Sequence, residues 1–208
     1  MSNRLRGSTS VILLVAGVSL GGCTKSPSGE APSDAAQASK AVKPPSAQPS
    51  EGAKSMLTIQ SSAFSPNGSI PAKYTCQGND TSPPLAWSGV PAGTQSLVLI
   101  VDDPDAPDPA APKRVWVHWV VFNVPPTVTE LGEGLKELPA GAKSGLNDWG
   151  RPGYGGPCPP IGRHRYFHKL YALDRTLELE RATKADVERA MQGHVLGSAE
   201  LVGTYQKT

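Results

Sequence analysis

Asp102, Asp103 and Asp105 fall together in the string VDDPDAPD at the end of an apolar run, where prolines limit backbone freedom and hold the carboxylates in place. In extended geometry Asp103 and Asp105 point the same way. His118 lies inside a second apolar run, where a lone His is ordinarily a core residue with its polar atoms satisfied. A second polar cluster changes that reading. GYGGPCPPIGRHRY, residues 153–166, leads from a Gly/Pro loop into a segment carrying His164, Arg165 and Tyr166. Acids, imidazoles, a guanidinium and a phenol thus stand beside glycines, whose backbone can approach a ligand closely. The set suits a small anion: an imidazole held by a carboxylate stays partly protonated, backbone N–H groups cradle oxygens, and a Tyr hydroxyl adds a donor.

Asp103, His118 and His164 could also serve metal-assisted hydrolysis or acid–base catalysis. Metal spacing is unconvincing, because no HxH, HExxH or CxxC occurs and the ligands would converge from three distant segments. An activated nucleophile is also missing: no Ser sits in a GxSxG setting, and prolines hem in Cys158. The leading expectation is therefore a non-catalytic binding module without a cofactor. A metal-assisted phosphoester hydrolase and an inhibitor of a protein partner such as a protease are the alternatives, the latter through the acidic loop 102–109. His168 and His194 read as surface or capping residues, and Trp87 and Trp149 as core or loop anchors.

The elements that must position these groups are mostly strands. The 22 Gly and 21 Pro make up about a fifth of the 208 residues, which disfavours a helical bundle and favours strands joined by turns. SLVLIV (96–101) and RVWVHWVVFNV (114–124) read as buried strands. In the second, alternation places Trp116, His118, Val120 and Phe122 on one face and Val117, Trp119 and Val121 on the other. HRYFHKLYAL (164–173) reads as a third strand and residues 201–205 as a short terminal one. A single helix is expected over 183–192, with Thr183 as N-cap, Asp186 three residues on and Gly193 at its end. Long Gly/Pro loops cover 102–113 and 139–163, as functional loops often do. With a net charge of +2 and no clustered basic run, a nucleic-acid partner is excluded.

Ahead of this β-rich domain, 56–208, stand two segments of other character. Arg4 and Arg6, the apolar run 11–18 and Leu20-Gly21-Gly22-Cys23 compose an export signal over 1–22. Its apolar core is shorter than the ~20 residues that span a bilayer. Leu-Gly-Gly-Cys resembles the lipobox of bacterial lipoproteins, which implies lipidation of Cys23 and a place in the bacterial cell envelope, anchored to membrane and facing the periplasm. Thr24, which is not Asp, implies the outer membrane by the enteric sorting pattern. Residues 23–55 are rich in Ser, Ala and Pro, with Val42 the only large aliphatic, and read as a disordered tether.

Three ordered strings, DPDAP, then WVHWVVFNVP, then YGGPCPPIGRHRYFHKLYAL, resemble the phosphatidylethanolamine-binding protein family. The flanking YTCQGNDTSPPLAWSGVPAGT and the closing GHVLGSAELVGTYQK resemble its bacterial Raf kinase inhibitor-like branch, YbhB/YbcL; the likeness spans residues 57–207. It implies a mainly β fold, a large central sheet packed with a smaller one plus short helices, and a small pocket for phosphate-like or headgroup-like anions. Matched motif to motif, Asp103, His118, His164, Tyr166 and the Gly155-Gly156-Pro157 turn would line that pocket, with Trp116 nearby and an Asp105–Arg165 ion pair tying two loops together. The bond before Pro104 is expected in the cis form. The resemblance also brings the loops of Cys76 and Cys158 together, and export to an oxidising compartment makes a disulfide between them the expectation.

Overall fold

A computed structural model describes residues 56–208. The export signal, Cys23 and the tether lie outside the described residues. Two antiparallel sheets carry the fold. The larger has five strands in the order β6 (Lys143–Ser144), β4 (Trp116–Val124), β3 (Ser96–Asp103), β7 (Arg163–Leu173), β8 (Val195–Gln206). The smaller has three, β1 (Thr58–Gln60), β2 (Leu85–Ser88) and β5 (Glu130–Leu131), with β2 in the middle.

β3 has every residue buried, which a central strand covered on both faces requires. Its alternation feeds two cores. Leu97, Leu99 and Val101 face the small sheet, where Ile59, Leu85, Trp87 and Leu131 meet them. Val98 and Ile100 face the other way, toward Val187 and Met191 of α1 (Lys184–Met191). That helix begins where the sequence places it: Thr183 accepts from the Asp186 backbone and Asp186 accepts from that of Thr183, a reciprocal cap. Val187 and Met191, four residues apart, form its buried stripe. Gly193, at φ +79°, turns the chain out of it.

Two expectations need correction. The terminal strand is 12 residues long, not five, because β7 pairs with it along its length, from Arg163 opposite Gln206 to Leu173 opposite Val195. The face assignment of β4 also fails in the middle. Val101 pairs with Trp119 while the next residue, Asp102, pairs with Val117, so His118 is the extra residue of a β-bulge. Beyond the bulge the phase inverts. Val117 joins Val120 and Phe122 in the core under the helix, and His118 instead shares the small-sheet side with Trp119 and Val121.

Candidate functional site

β3 ends in two carboxylates that point to opposite faces. Asp102, fully buried on the helix side, accepts from Lys169 Nζ at 2.9 Å and from Lys184 Nζ at 2.6 Å, and so ties the start of α1 to the sheet. Asp103 faces the other side. Its Oδ1 accepts from the Asp105 backbone at 2.8 Å, and its Oδ2 meets His164 Nδ1 at 2.7 Å. His164 Nε2 lies 3.0 Å from the Ile161 carbonyl. Both ring nitrogens of His164 are thus engaged, one by the Asp103 carboxylate and one by the Ile161 carbonyl.

The bulge delivers His118 to the same spot. Its Nδ1 is 2.6 Å from the Gly155 carbonyl, and its own carbonyl accepts from Gly155 N at 3.0 Å. A carbonyl can only accept, so Nδ1 carries the hydrogen and Nε2, bonded to no described residue, presents a lone pair. Burial pushes this imidazole below its ordinary pKa, against the Gly155 bond and the Asp103, Asp102 and Asp148 charges that pull it up.

These three residues line a cavity of about 320 Å³. Trp116 and Trp149 form one wall, packed edge to face at 5.3 Å, and Trp149 stands in the same relation to His118. Ala106, Pro107 and the run Cys158-Pro159-Pro160 form the rest. The lining is largely apolar and, among the described residues, contains no Lys or Arg. Among the described residues two buried donors have no partner: the indole Nε1–H of Trp116, whose side chain lines the cavity, and the hydroxyl of Tyr166 behind it. Burial raises the Tyr166 pKa, with the Asp103 charge second, which keeps that hydroxyl protonated as a donor. A larger groove of about 580 Å³, along Met56, Leu57, Pro91 and Leu196, has no titratable side chain in its lining among the described residues.

The structure thus brings Asp103, His118, His164 and Trp116 together around one cavity. Asp105 and Arg165 form a two-pronged ion pair at 2.9 and 2.7 Å, and the Arg165 backbone N–H adds a third bond. The guanidinium holds the Asp105 carboxyl below its usual range. Cys76 and Cys158 are joined in a disulfide.

Other residues stand elsewhere. Gly155, Gly156, Pro157 and Tyr166 are behind the wall rather than on it, and the turn's N–H groups cradle nothing. Gly155 N is used on His118, and Gly156 N on Asp80 Oδ1 at 2.6 Å. What these glycines supply is room: a Cβ on Gly155 would stand 2.4 Å from the Trp149 ring, and one on Gly156 would stand 2.5 Å from the Tyr74 carbonyl. Tyr166, 1% exposed, instead supports both imidazoles, its ring 5.1 Å from that of His118. The cis bond among the described residues is Ala106–Pro107, not the one before Pro104. His168 is a core residue against Phe64, not a surface one, because β7 and β8 cover it. Trp149, read as an anchor, is 44% exposed and lines the pocket. Its signal was an aromatic side chain in a loop punctuated by Gly150, Gly153, Gly155 and Gly156.

A family model described as phosphatidylethanolamine-binding protein matches residues 60–206. A UPF0098 protein of Methanothermobacter thermautotrophicus is 52% identical over 155 residues, covering 73% of this chain and 99% of its own. The crystal structure of a phosphatidylethanolamine-binding protein homologue from Chlamydia trachomatis is similar at TM-score 0.69 and 46% identity, over 74% of this chain and 99% of that one. YbcL of E. coli is similar at TM-score 0.66 and 34% identity, over 73% and 99%. A carboxypeptidase Y inhibitor, solved in complex with its cognate proteinase, shares the fold alone at 16% identity and TM-score 0.50, over 74% of this chain and 84% of that one.

Proposed function

Since this chain belongs to the phosphatidylethanolamine-binding protein family, we propose that it is a non-catalytic binding protein whose pocket captures a small phosphorylated or otherwise oxyanionic group, at a membrane to which lipid on Cys23 holds it. The observation that carries the reading is the Trp116 indole Nε1–H, a buried donor without a partner among the described residues, on a side chain that lines a cavity with ordered polar groups. A buried donor left unpaired costs about 1–3 kcal/mol, and an oxyanion in the cavity that reaches Trp116 Nε1 relieves that cost. Binding without turnover is supported by the surroundings of the imidazoles. Among the described residues neither His118 nor His164 bonds a hydroxyl or thiol that it could activate, and Cys158 is held in the disulfide.

Titrating inorganic phosphate and phosphoethanolamine into the protein, while following the imidazole resonances of His118 and His164 and the fluorescence of Trp116 and Trp149, tests the reading. Saturable shifts at millimolar ligand, weakened by Trp116→Phe, are expected; resonances that stay still across that range refute it. The anchor is tested by mass spectrometry of the membrane fraction, where the first mature residue should be Cys23 bearing lipid. A soluble species cleaved elsewhere rejects that part. A second reading, capture of a protein partner such as a protease, is favoured by apolar side chains left exposed beside the pocket, Trp149 and Ile161 at 44% and 55%. Recovery of a periplasmic protease on the immobilised protein, lost in Trp149→Ala, would favour it.

A further inference from the structure

Resting on the oxyanion reading of the pocket, we infer that Asn147, itself outside the pocket lining, is a positioning residue of the site: its side-chain amide clasps the loop 147–153 so that Trp149 stands as a wall of the cavity before a guest arrives. Trp149 lines the cavity with its ring 5.3 Å from those of Trp116 and His118. Little in the side chain itself keeps it there. It is 44% exposed, and among the described residues its indole makes no hydrogen bond. The chain beyond it is free to turn: Gly150 and Gly153 stand at φ +70° and +91°, and a Cβ on either would meet nothing within 4 Å. Arg151 reaches Asp80 only at 3.9 Å, an exposed pair of little strength. A half-exposed ring on such a loop keeps its place only if the main chain beneath it is fixed.

Asn147 fixes that main chain. It is 3% exposed, although residues 149–152 are exposed. Its Oδ1 accepts from the Trp149 N–H at 3.1 Å and the Arg151 N–H at 3.4 Å, and its Nδ2 donates to the Gly153 carbonyl at 3.0 Å. Its own N–H donates to the Arg151 carbonyl at 3.0 Å, and its carbonyl accepts from Gly150 N at 2.9 Å. The amide fits one way round, since the reverse would set its donors against two N–H groups. The clasp is moored to the strand that carries His118. The Asp148 N–H donates to the Val117 carbonyl at 3.0 Å and its Oδ2 accepts from Val117 N at 3.1 Å, one residue before the bulge. On the other side of the loop Gly155 exchanges bonds with His118. Trp149 therefore hangs between moorings on consecutive residues of β4, and Asn147 sets the course of the chain between them. A buried amide spent wholly on the backbone of one loop removes, in the free protein, the ordering cost that binding would otherwise meet.

The test is a double-mutant cycle on the full chain, titrated calorimetrically with phosphoethanolamine well below the unfolding temperature: wild type, Asn147→Ala, Trp149→Ala and the double variant. In Asn147→Ala the wall is in place in only a fraction of the molecules and affinity falls by that fraction, about ten- to a hundredfold for the loss of these bonds. The double variant should bind no more weakly than Trp149→Ala alone, because Asn147 acts through the ring. Asn123→Ala, which cuts similar side chain–backbone bonds to Leu177 near the other end of β4, should lower stability and leave affinity unchanged. If Asn147→Ala does not fold, Asn147→Asp, which keeps the acceptor bonds and loses the donor to Gly153, takes its place in the cycle. Without ligand, the imidazole proton resonances of His118, shifted by the ring current of Trp149, should move in the Asn147 variant toward their positions in Trp149→Ala. Unmoved His118 resonances, wild-type affinity in the Asn147 variant, or a double variant about tenfold weaker than Trp149→Ala would each overturn the inference while leaving the oxyanion reading in place. If the wild type binds no phosphoethanolamine or phosphate, the oxyanion reading fails, and the ligand-free spectra still decide whether Asn147 positions the wall.

Discussion

Opening the Cys76–Cys158 disulfide measures how far the pocket wall depends on a covalent tie. The bond links residues 82 apart, and chain-entropy bookkeeping gives about 4.5 kcal/mol at 25 °C for a loop of that length. Both cysteines are exposed, so replacing each with Ser leaves no core cavity to add its own cost. For a domain of about 150 residues, each kcal/mol moves the melting temperature by about 2–4 °C, so the oxidised protein should melt roughly 10–15 °C above the Cys76→Ser/Cys158→Ser variant. The assay is urea unfolding of the full chain with and without reductant, beside the double variant. Reductant should move the wild type onto the variant's curve and leave the variant unmoved. Ligand affinity should fall along with stability, because Cys158 leads into the Pro159-Pro160 wall and Cys76 N bonds the Pro157 carbonyl. A midpoint shift worth less than about 1 kcal/mol, against the several expected for so long a loop, would show that the unfolded chain is already compact around this pair. It would refute the reasoning from loop length.

The remaining expectations concern single residues. Asp102→Asn leaves Lys169 and Lys184 facing a neutral partner and should cost about 3–5 kcal/mol of urea stability, whereas Lys184→Met should cost less because Lys169 remains. Gly156→Ala forces a Cβ against the Tyr74 carbonyl, which cannot give way, and should cost about 1–3 kcal/mol. Gly155→Ala presses only on the half-exposed Trp149 ring; it should leave stability nearly intact while changing tryptophan fluorescence and weakening ligand binding. Burial holds the His168 pKa down at about 4, against 6.5 for the free side chain. The fold therefore bears no cost from this ring above 6.5, loses stability as the pH falls and the unfolded chain takes the proton first, and reaches the full loss below about 4, of the order of 3 kcal/mol. His168→Phe should flatten that part of the pH–stability curve, and an unchanged slope would show that other groups set it.

Legibility followed the strength of local pattern. β3 and β7 stood out because burial on both faces, or strict alternation with aromatics, leaves a dense apolar signature. α1 was readable from its cap because the Thr183–Asp186 exchange is local. The first half of β8, VLGSAE, has no strand signature of its own; the register with β7 imposes its conformation. β1, β2, β5 and β6, of two to four residues each, are likewise set by their partners. The bulge at His118 left no mark in the sequence, because one inserted residue alters phase without altering composition. That single feature moved His118 from the helix side of the sheet to the pocket side. The motif strings name Asp103, His118 and His164, which line the cavity, but not the division of labour around it, where Gly155 and Tyr166 support and Trp149 lines.

That division follows from how β3 ends. Consecutive aspartates on a strand must face opposite sides, so each needs its own neutralisation in a buried setting. Asp102 finds two lysines because the helix side is within reach of long side chains from β7 and α1, which stay partly exposed, 26% for Lys169 and 17% for Lys184. Asp103 faces the cavity, where a lysine stem would fill the space a guest needs, and a flat imidazole from the neighbouring strand takes that part instead. The cavity is thereby kept open and, among the described residues, free of a lining lysine or arginine.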